Sequence, residues 1–153
     1  MKNSKSTLFG RNLSCTMLLI LILTGVETQL RAQENTVISW REAQRQEEKW
    51  FSGKEAGRIA DNVMLYQNNN GGWLKNIDMA APLNEVRKSQ LRKEKVLKSG
   101  TTIDNGATHT QLRYLAKVFT ATGKENHKNS FLKGVDYLLA AQYKNGAGRN
   151  SIL

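Results

Sequence analysis

Two short segments of the sequence contain residue types that suit a binding or catalytic site. The first segment, residues 67–79 (QNNNGGWLKNIDM), places two glycines before Trp73 and then a cation, an amide and a carboxylate at Lys75, Asn76 and Asp78. The glycines permit close approach of the backbone, and the flat indole of Trp73 suits stacking on a sugar ring. The alternative is structural: a helix C-cap in which Trp73 fills the core.

The second segment, residues 101–111 (TTIDNGATHTQ), places Asp104, Asn105, Thr108 and Gln111 around the predicted start of a helix. A helix N-terminus attracts anions, and oxygen-bearing side chains there suit a hard cation such as calcium. Plain N-capping of the helix by Asp104 or Asn105 is the alternative interpretation.

Other kinds of site find little support in the sequence. The only histidines are His109 and His127, and the only cysteine is Cys15, so a structural zinc site is not expected. There is no glycine-rich phosphate loop and no Gly-x-Ser-x-Gly motif. A glycosidase with two carboxylates is not excluded, because acidic residues occur throughout the chain.

The N-terminus predicts export. The chain has 153 residues with one cysteine, which allows one domain and excludes a disulfide scaffold. Residues 1–33 have a basic start followed by an apolar run at 13–26, the pattern of a signal peptide. That run is shorter than the roughly 20 residues of a membrane span. We therefore expect a secreted or periplasmic protein without stable membrane insertion, with an uncleaved anchor as the alternative.

The formal net charge is +10, and residues 87–98 concentrate six basic side chains against one glutamate. Such a run attracts polyanions, whether nucleic acid, an anionic membrane or an acidic polysaccharide, but it is also typical of a solvated helix face. No aromatic side chains interleave the charges, so nucleic acid is not the expected partner.

The elements that must position these residues are all predicted to be helices. Capping-box patterns at Ser39 and Ser52 open helices over 40–51 and 54–67, and further helices are predicted over 84–98, from 104 or 105 to 122, and over 126–142. The helix ending at 122 carries apolar residues on two faces, which predicts burial on two sides, and Gly123 terminates it. No strand is predicted, so the fold class is all-α.

An internal echo in the sequence indicates helix-pair repeats. Asp61, Gln67, Asn70 and Gly71 recur 75 positions later as Asp136, Gln142, Asn145 and Gly146. Helix-pair repeats build solenoids or closed α/α toroids, in which each pair buries its apolar face on the next. Two copies are few for such an array, so we expect an incomplete one.

Three stretches of this sequence resemble the family 10 pectate lyases. Residues 60–79 (ADNVMLYQNNNGGWLKNIDM) resemble the family's opening motif, although Leu74 stands where the family usually has proline. Residues 102–108 (TIDNGAT) resemble its next motif, and residues 131–143 (FLKGVDYLLAAQY) the one after. The resemblance identifies residues 34–153 as the N-terminal part of a pectate lyase catalytic domain.

The resemblance implies an exported, monomeric α/α-toroid enzyme that cleaves polygalacturonate, or de-esterified pectin, by Ca²⁺-assisted β-elimination. It implies Asp104 as a metal-binding residue and Trp73, Lys75, Asn76 and Asn105 as substrate-binding residues. The family's base is an arginine in its C-terminal part, which this sequence does not reach, so the resemblance implies no catalytic residue here and an inactive fragment. The alternative is a non-catalytic protein that binds acidic polysaccharide through Trp73 and the charges of residues 87–98.

The last eight residues, GAGRNSIL, depart from the family pattern. Codons that encode them, read in another frame, give Gly-Trp-Lys-Lys-Phe-His-Pro, which fits that pattern. We therefore hypothesise a frameshift that truncates a longer lyase.

Overall fold

The described part of the chain contains five α-helices and two short 3₁₀ helices. The structure, a computed structural model, describes residues 37–95 and 100–142. The α-helices are α1 (Trp40–Ala43), α2 (Lys54–Tyr66), α3 (Glu85–Glu94), α4 (His109–Thr122) and α5 (Glu125–Ala140), and the 3₁₀ helices are Glu48–Ser52 and Asp104–Gly106. These ranges contain no β-strand, which confirms the all-α prediction for the described residues. The predicted export signal at 1–33 and the divergent tail at 146–153 lie outside them.

The N-terminal capping box forms as predicted, but the helix that it opens is short. The Ser39 side chain accepts from the backbone of Glu42, and the Glu42 carboxylate accepts the Ser39 backbone N–H at 2.8 Å. The helix then stops at Ala43, and the Glu42 carbonyl accepts a hydrogen bond from the side-chain amide of Gln46 at 3.3 Å. The single helix predicted over 40–51 is therefore wrong.

The second predicted capping box does not form. The Ser52 hydroxyl donates to the Lys49 carbonyl at 2.8 Å, inside the first 3₁₀ helix, and Gly53 is the N-cap of α2 without a side-chain bond. Ser52 therefore forms its hydrogen bond within the 3₁₀ helix and does not cap α2.

Helix α4 lies at the centre of the fold. It packs against α5, α2 and the first 3₁₀ helix. Leu112 and Leu115 on one face and Tyr114 and Val118 on another are all buried, which confirms the predicted burial on two sides. Gly123 ends the helix in the left-handed conformation with φ 68°, also as predicted.

Aromatic contacts attach the N-terminal turns to α4. The Tyr114 ring lies 5.0 Å from Trp40 and 5.5 Å from Phe51, centroid to centroid, and its hydroxyl donates to the Ala56 carbonyl at 3.2 Å. Aromatic pairs at these distances add to the burial of their surfaces. The core that they join contains Ala43, Phe51, Ala56, Ile59, Ala60, Val63, Trp73, Met79, Ala80, Leu112, Tyr114, Leu115 and Val118.

A reciprocal pair of hydrogen bonds ties the end of α2 to α5. The Gln67 side chain donates to the Ser130 carbonyl at 2.9 Å and accepts from the Ser130 hydroxyl at 2.6 Å. Both side chains are buried, so each polar group is satisfied within the core. Gln142, which corresponds to Gln67 in the second copy of the internal echo, is exposed. Asn145 and Gly146 lie outside the described residues.

Helix α3 is a largely solvated helix. The Asn84 side chain accepts the Arg87 backbone N–H at 2.8 Å and so caps it, and Leu91 is its only buried residue. Arg87 pairs with Glu94 at 3.0 Å and Lys88 with Glu85 at 2.7 Å. Within the described part of the basic run, Arg92 and Lys93 are exposed, whereas the Lys95 ammonium after the helix donates to the Met64 carbonyl at 2.8 Å. None of the helices in the described ranges is long and apolar enough to cross a membrane.

Candidate functional site

The two segments selected from the sequence run side by side. The backbone N–H of Thr102 donates to the Trp73 carbonyl at 3.1 Å, and the backbone N–H of Trp73 donates to the Thr108 hydroxyl at 3.3 Å. The Asn70 side chain adds a bond to the Thr101 hydroxyl at 2.8 Å. These three hydrogen bonds fix the two segments relative to each other, so side chains distant in sequence share one surface.

Trp73 lies in the core and not in a cleft. It has no exposed surface, and its indole N–H donates to the Val63 carbonyl at 2.8 Å. The ring fits there because Gly134 on α5 has no side chain, and a Cβ at that position would lie 2.8 Å from the indole. An indole without accessible surface offers no face to a sugar, so this placement matches the structural interpretation of Trp73 and not the expected stacking on a sugar.

Lys75 and Asp104 meet across the two segments. The Lys75 ammonium lies 3.1 Å from one carboxylate oxygen of Asp104, and the other oxygen accepts the Asn105 backbone N–H at 2.8 Å. The Lys75 hydrogen bond first, and then that of the Asn105 N–H, hold the pKa of Asp104 below its ordinary value. Both side chains are about half exposed, at 46% and 47%, so solvent and ligands can reach the pair.

Three residues of the two segments adopt a backbone conformation that is uncommon outside glycine. Asn76, Asn105 and Thr108 have φ of 62°, 49° and 65°, and they are the only non-glycine residues with positive φ in the described ranges. Asparagine tolerates the left-handed region, whereas a β-branched threonine there is strained. Such strain concentrates at functional sites, where the surrounding structure maintains it. The sequence gives no signal of the strain at Thr108.

Helix α4 starts later than the sequence predicts. Asp104, Asn105 and Gly106 form a separate 3₁₀ turn, and α4 begins at His109 with Thr108 in the capping position. Neither Asp104 nor Asn105 caps the helix. The Thr108 hydroxyl instead donates to the Thr102 carbonyl at 2.8 Å, which closes the turn on itself.

A groove of about 590 Å³ opens beside this turn. Its lining includes three of the predicted site residues, Lys75, Asn76 and Asn105. It also includes three arginines that no sequence pattern indicates, namely Arg41, Arg45 and Arg113. Among the described residues, four basic side chains and one acidic side chain, Asp78, line the groove, so it presents a positive surface to a ligand.

Asp78 has a positioning role within the groove. One of its carboxylate oxygens accepts the backbone N–H of Trp40 and that of Ala80, both at 3.0 Å. The first bond holds the start of α1 against the first segment. Asp78 therefore places α1, and the arginines near it, beside Lys75 and Asn76. Gln111, also selected from the sequence, is buried and directs its amide toward the Met79 sulfur at 3.7 Å.

The described residues do not fit a complete calcium site. Calcium takes six to eight oxygen ligands, several of them carboxylates. Asp104 supplies one carboxylate, which already faces the Lys75 ammonium. No group of three histidine, cysteine, aspartate or glutamate side chains able to hold a metal occurs in the described ranges.

Comparison with known proteins identifies a family and similar solved structures. The pectic acid lyase family matches residues 67–151, more than half of the chain. No curated protein matches the chain significantly.

Both solved structures are of a family 10 polysaccharide lyase from Cellvibrio cellulosa. One is a mutant in complex with trigalacturonic acid, 34% identical over 63% of this chain and 27% of that chain, with a TM-score of 0.49. The other is 33% identical over 67% of this chain and 29% of that chain, with a TM-score of 0.48. The present chain therefore spans less than a third of each.

Proposed function

Because the chain belongs to the pectic acid lyase family, we propose that its groove binds polygalacturonate as the substrate of a lyase reaction. The observation that carries the proposal is the cationic lining of the groove, where Lys75, Asn76 and Asn105 from the two segments face the same space as three arginines. A polyuronate presents a carboxylate on every sugar, and ammonium and guanidinium groups form charge-assisted hydrogen bonds with carboxylates.

The reaction proposed is a β-elimination. A base removes the proton from C5 of a uronate, the electron pair forms a double bond between C4 and C5, and the bond from C4 to the glycosidic oxygen breaks. The departing oxygen takes up a proton, so no water is consumed. In this scheme Lys75 binds a substrate carboxylate, and the Asn76 and Asn105 amides hydrogen-bond to the sugar. We assign no proton-abstracting base among the described residues.

The exposure and backbone conformation of Asn76 and Asn105 support this role. Both side chains are exposed, and both backbones are held at positive φ by the turns in which they lie. A group fixed before the ligand arrives loses little conformational entropy on binding. The backbone at both residues is thus fixed before a ligand arrives, and the exposed amides are accessible to the sugar.

The proposal also includes the calcium requirement, export and completion of an α/α toroid, which the family resemblance implies. Asp104 is the residue proposed to contact calcium, and we derive no catalytic step through the ion because the described residues do not complete its site. The rival function, a non-catalytic polysaccharide binder using Trp73 and the basic run, loses support because Trp73 is buried and Arg87 and Lys88 are paired with carboxylates.

Titration calorimetry with trigalacturonate tests the proposed binding. We expect wild-type protein to bind the ligand and the Lys75→Met and Asn105→Ala variants to bind it more weakly. Lys88→Met, which removes an equal charge from α3, is the matched control. If both groove variants bind trigalacturonate as tightly as the wild type, the groove is not the binding site.

The lyase reaction itself is followed by the ultraviolet absorbance of the unsaturated product, with and without a calcium chelator. We expect the 153-residue chain to form no such product, since the family resemblance implies an arginine base beyond it. Chelator-sensitive product formed by this chain would show that the base lies within it.

A further inference from the structure

Three arginines converge on the groove from two parts of the chain. Arg41 lies in α1, Arg45 follows the end of that helix, and Arg113 lies in α4. All three side chains are exposed and line the groove. They meet because α1 packs on α4, where the Trp40 ring lies 5.0 Å from that of Tyr114.

These guanidinium groups are free of protein partners in the part of the chain that the structure describes. Within the described ranges, none of the three makes an ion pair or a side-chain hydrogen bond. By contrast, Arg58 pairs with Glu55 at 2.6 Å, and Lys75 pairs with Asp104 at 3.1 Å. Each guanidinium therefore keeps its five N–H donors available to a ligand.

The groove itself offers these arginines little neutralisation. The one carboxylate that lines it in the described ranges, Asp78, already accepts two backbone N–H groups through one oxygen. Three like charges around one groove repel each other until an anion enters. A planar guanidinium binds a carboxylate through two parallel hydrogen bonds, so a carboxylate-bearing ligand fits these arginines best.

We propose that Arg41, Arg45 and Arg113 form a second carboxylate subsite of the groove, which holds a uronate unit other than the one at Lys75 and Asn105. This inference rests on the proposed function, and it extends the ligand to a longer, de-esterified uronate chain. Arg41 and Arg45 precede residues 67–151, the part that matches the family. The subsite is therefore built largely by the segment N-terminal to that match.

Positioning of the subsite depends on contacts that are independent of the arginines. The capping box of Ser39 and Glu42 forms the first turn of α1, and the Asp78 carboxylate holds the Trp40 N–H. The Lys117 ammonium donates to the Gln44 carbonyl at 3.5 Å and adds a second link between α4 and this segment. Replacing arginine side chains should therefore leave the fold intact.

The test compares the affinities of two ligands, trigalacturonate and a longer oligogalacturonate, for the full chain by titration calorimetry. The variant is Arg45→Gln with Arg113→Gln, and the matched control is Arg92→Gln with Lys93→Gln, which removes equal charge from α3 outside the groove lining. We expect the groove variant to bind the longer ligand about fivefold more weakly than the control, as the loss of two exposed ion pairs predicts. Methyl esterification of the longer ligand should remove the difference.

The groove variant and the control could bind the longer ligand equally well while Lys75→Met binds it more weakly than the wild type. That result would overturn the arginine subsite and leave the proposed function in place. Wild-type protein that binds neither ligand would overturn both. A loss in the arginine variant without any loss in Lys75→Met would support the arginine subsite and refute the substrate contact at Lys75.

Discussion

Lys75 and Asp104 form an ion pair of 3.1 Å that joins the two segments from which the groove is built. The pair couples the chemistry of both residues. A uronate carboxylate must compete with Asp104 for the Lys75 ammonium, and a cation must compete with Lys75 for Asp104. Since the side chains are half exposed, solvent weakens the pair enough for such exchange.

The Asp104 carboxyl group should become less acidic when Lys75 is replaced. The hydrogen bond from Lys75 is the largest cause that lowers the pKa of Asp104, and the Asn105 N–H is the next. In Lys75→Met we expect this pKa to rise toward, but not reach, its ordinary value of 3.8. Titration of the carboxyl carbon by NMR measures it, with Lys88→Met as the control. An unchanged pKa would mean that the pair is not formed in solution.

Gly134→Ala should destabilise the protein. A Cβ at this position in α5 would lie 2.6 Å from the Leu112 side chain and 2.8 Å from the Trp73 ring. Overpacking of a core costs about 1–3 kcal/mol. Gly57→Ala in α2 is the matched control, because nothing lies within 4 Å of its Cβ and alanine favours a helix by roughly 0.5–1 kcal/mol. In urea unfolding, Gly134→Ala should lower the free energy of unfolding and Gly57→Ala should raise it. Equal changes in the two variants would contradict the close packing around Gly134.

Trp73→Phe should reduce the free energy of unfolding by about 2 kcal/mol. The substitution removes the hydrogen bond to the Val63 carbonyl and leaves a cavity where the indole was. Leu139→Ala, at a side chain that is 60% exposed, should change stability by less than about 0.5 kcal/mol. If Trp73→Phe is as mild as this control but weakens trigalacturonate binding, Trp73 contacts the ligand after all.

Stability should decrease in mild acid because of His127. Its side chain is fully buried, neither ring nitrogen has a hydrogen-bond partner among the described residues, and Asp61 lies 3.6 Å from Nε2. Burial lowers the pKa of His127 and outweighs the opposing effect of Asp61. Below the ordinary value of 6.5 the unfolded chain therefore binds a proton that the folded chain does not. The free energy of unfolding should fall as pH drops through that value.

The pH dependence is measured by urea unfolding between about pH 7.5 and pH 5. His127→Phe fills the site with an apolar ring and should flatten the dependence, whereas the exposed His109→Gln should retain it. A wild-type slope that persists in His127→Phe would assign the effect to another group.

Features set by neighbours in the sequence were predictable. The capping box at Ser39 depends on residues three positions apart, and the end of α4 depends on Gly123 alone, so both predictions are confirmed. The break after Ala43 was not predictable, because the packing of Phe51 on Tyr114, far along the chain, favours a separate 3₁₀ turn.

The site was predictable only in part for the same reason. Lys75, Asn76 and Asn105 lie in the two selected segments, and the structure brings them to one groove. Arg41 and Arg113 are separated by most of the described chain, and no local pattern indicates that they meet. The burial of Trp73 depends on the missing side chain of Gly134, which the residues around Trp73 do not reveal.

The buried indole also gives the protein an internal optical reporter. The chain has three tryptophans, and Trp73 is the one with no exposed surface, while Trp40 and Trp50 are partly buried. An indole shielded from water emits fluorescence at shorter wavelength and is protected from dissolved quenchers. In a chain whose other two tryptophans are replaced by phenylalanine, the wavelength of maximum emission would report on the contact between the first segment and α5 without any attached dye.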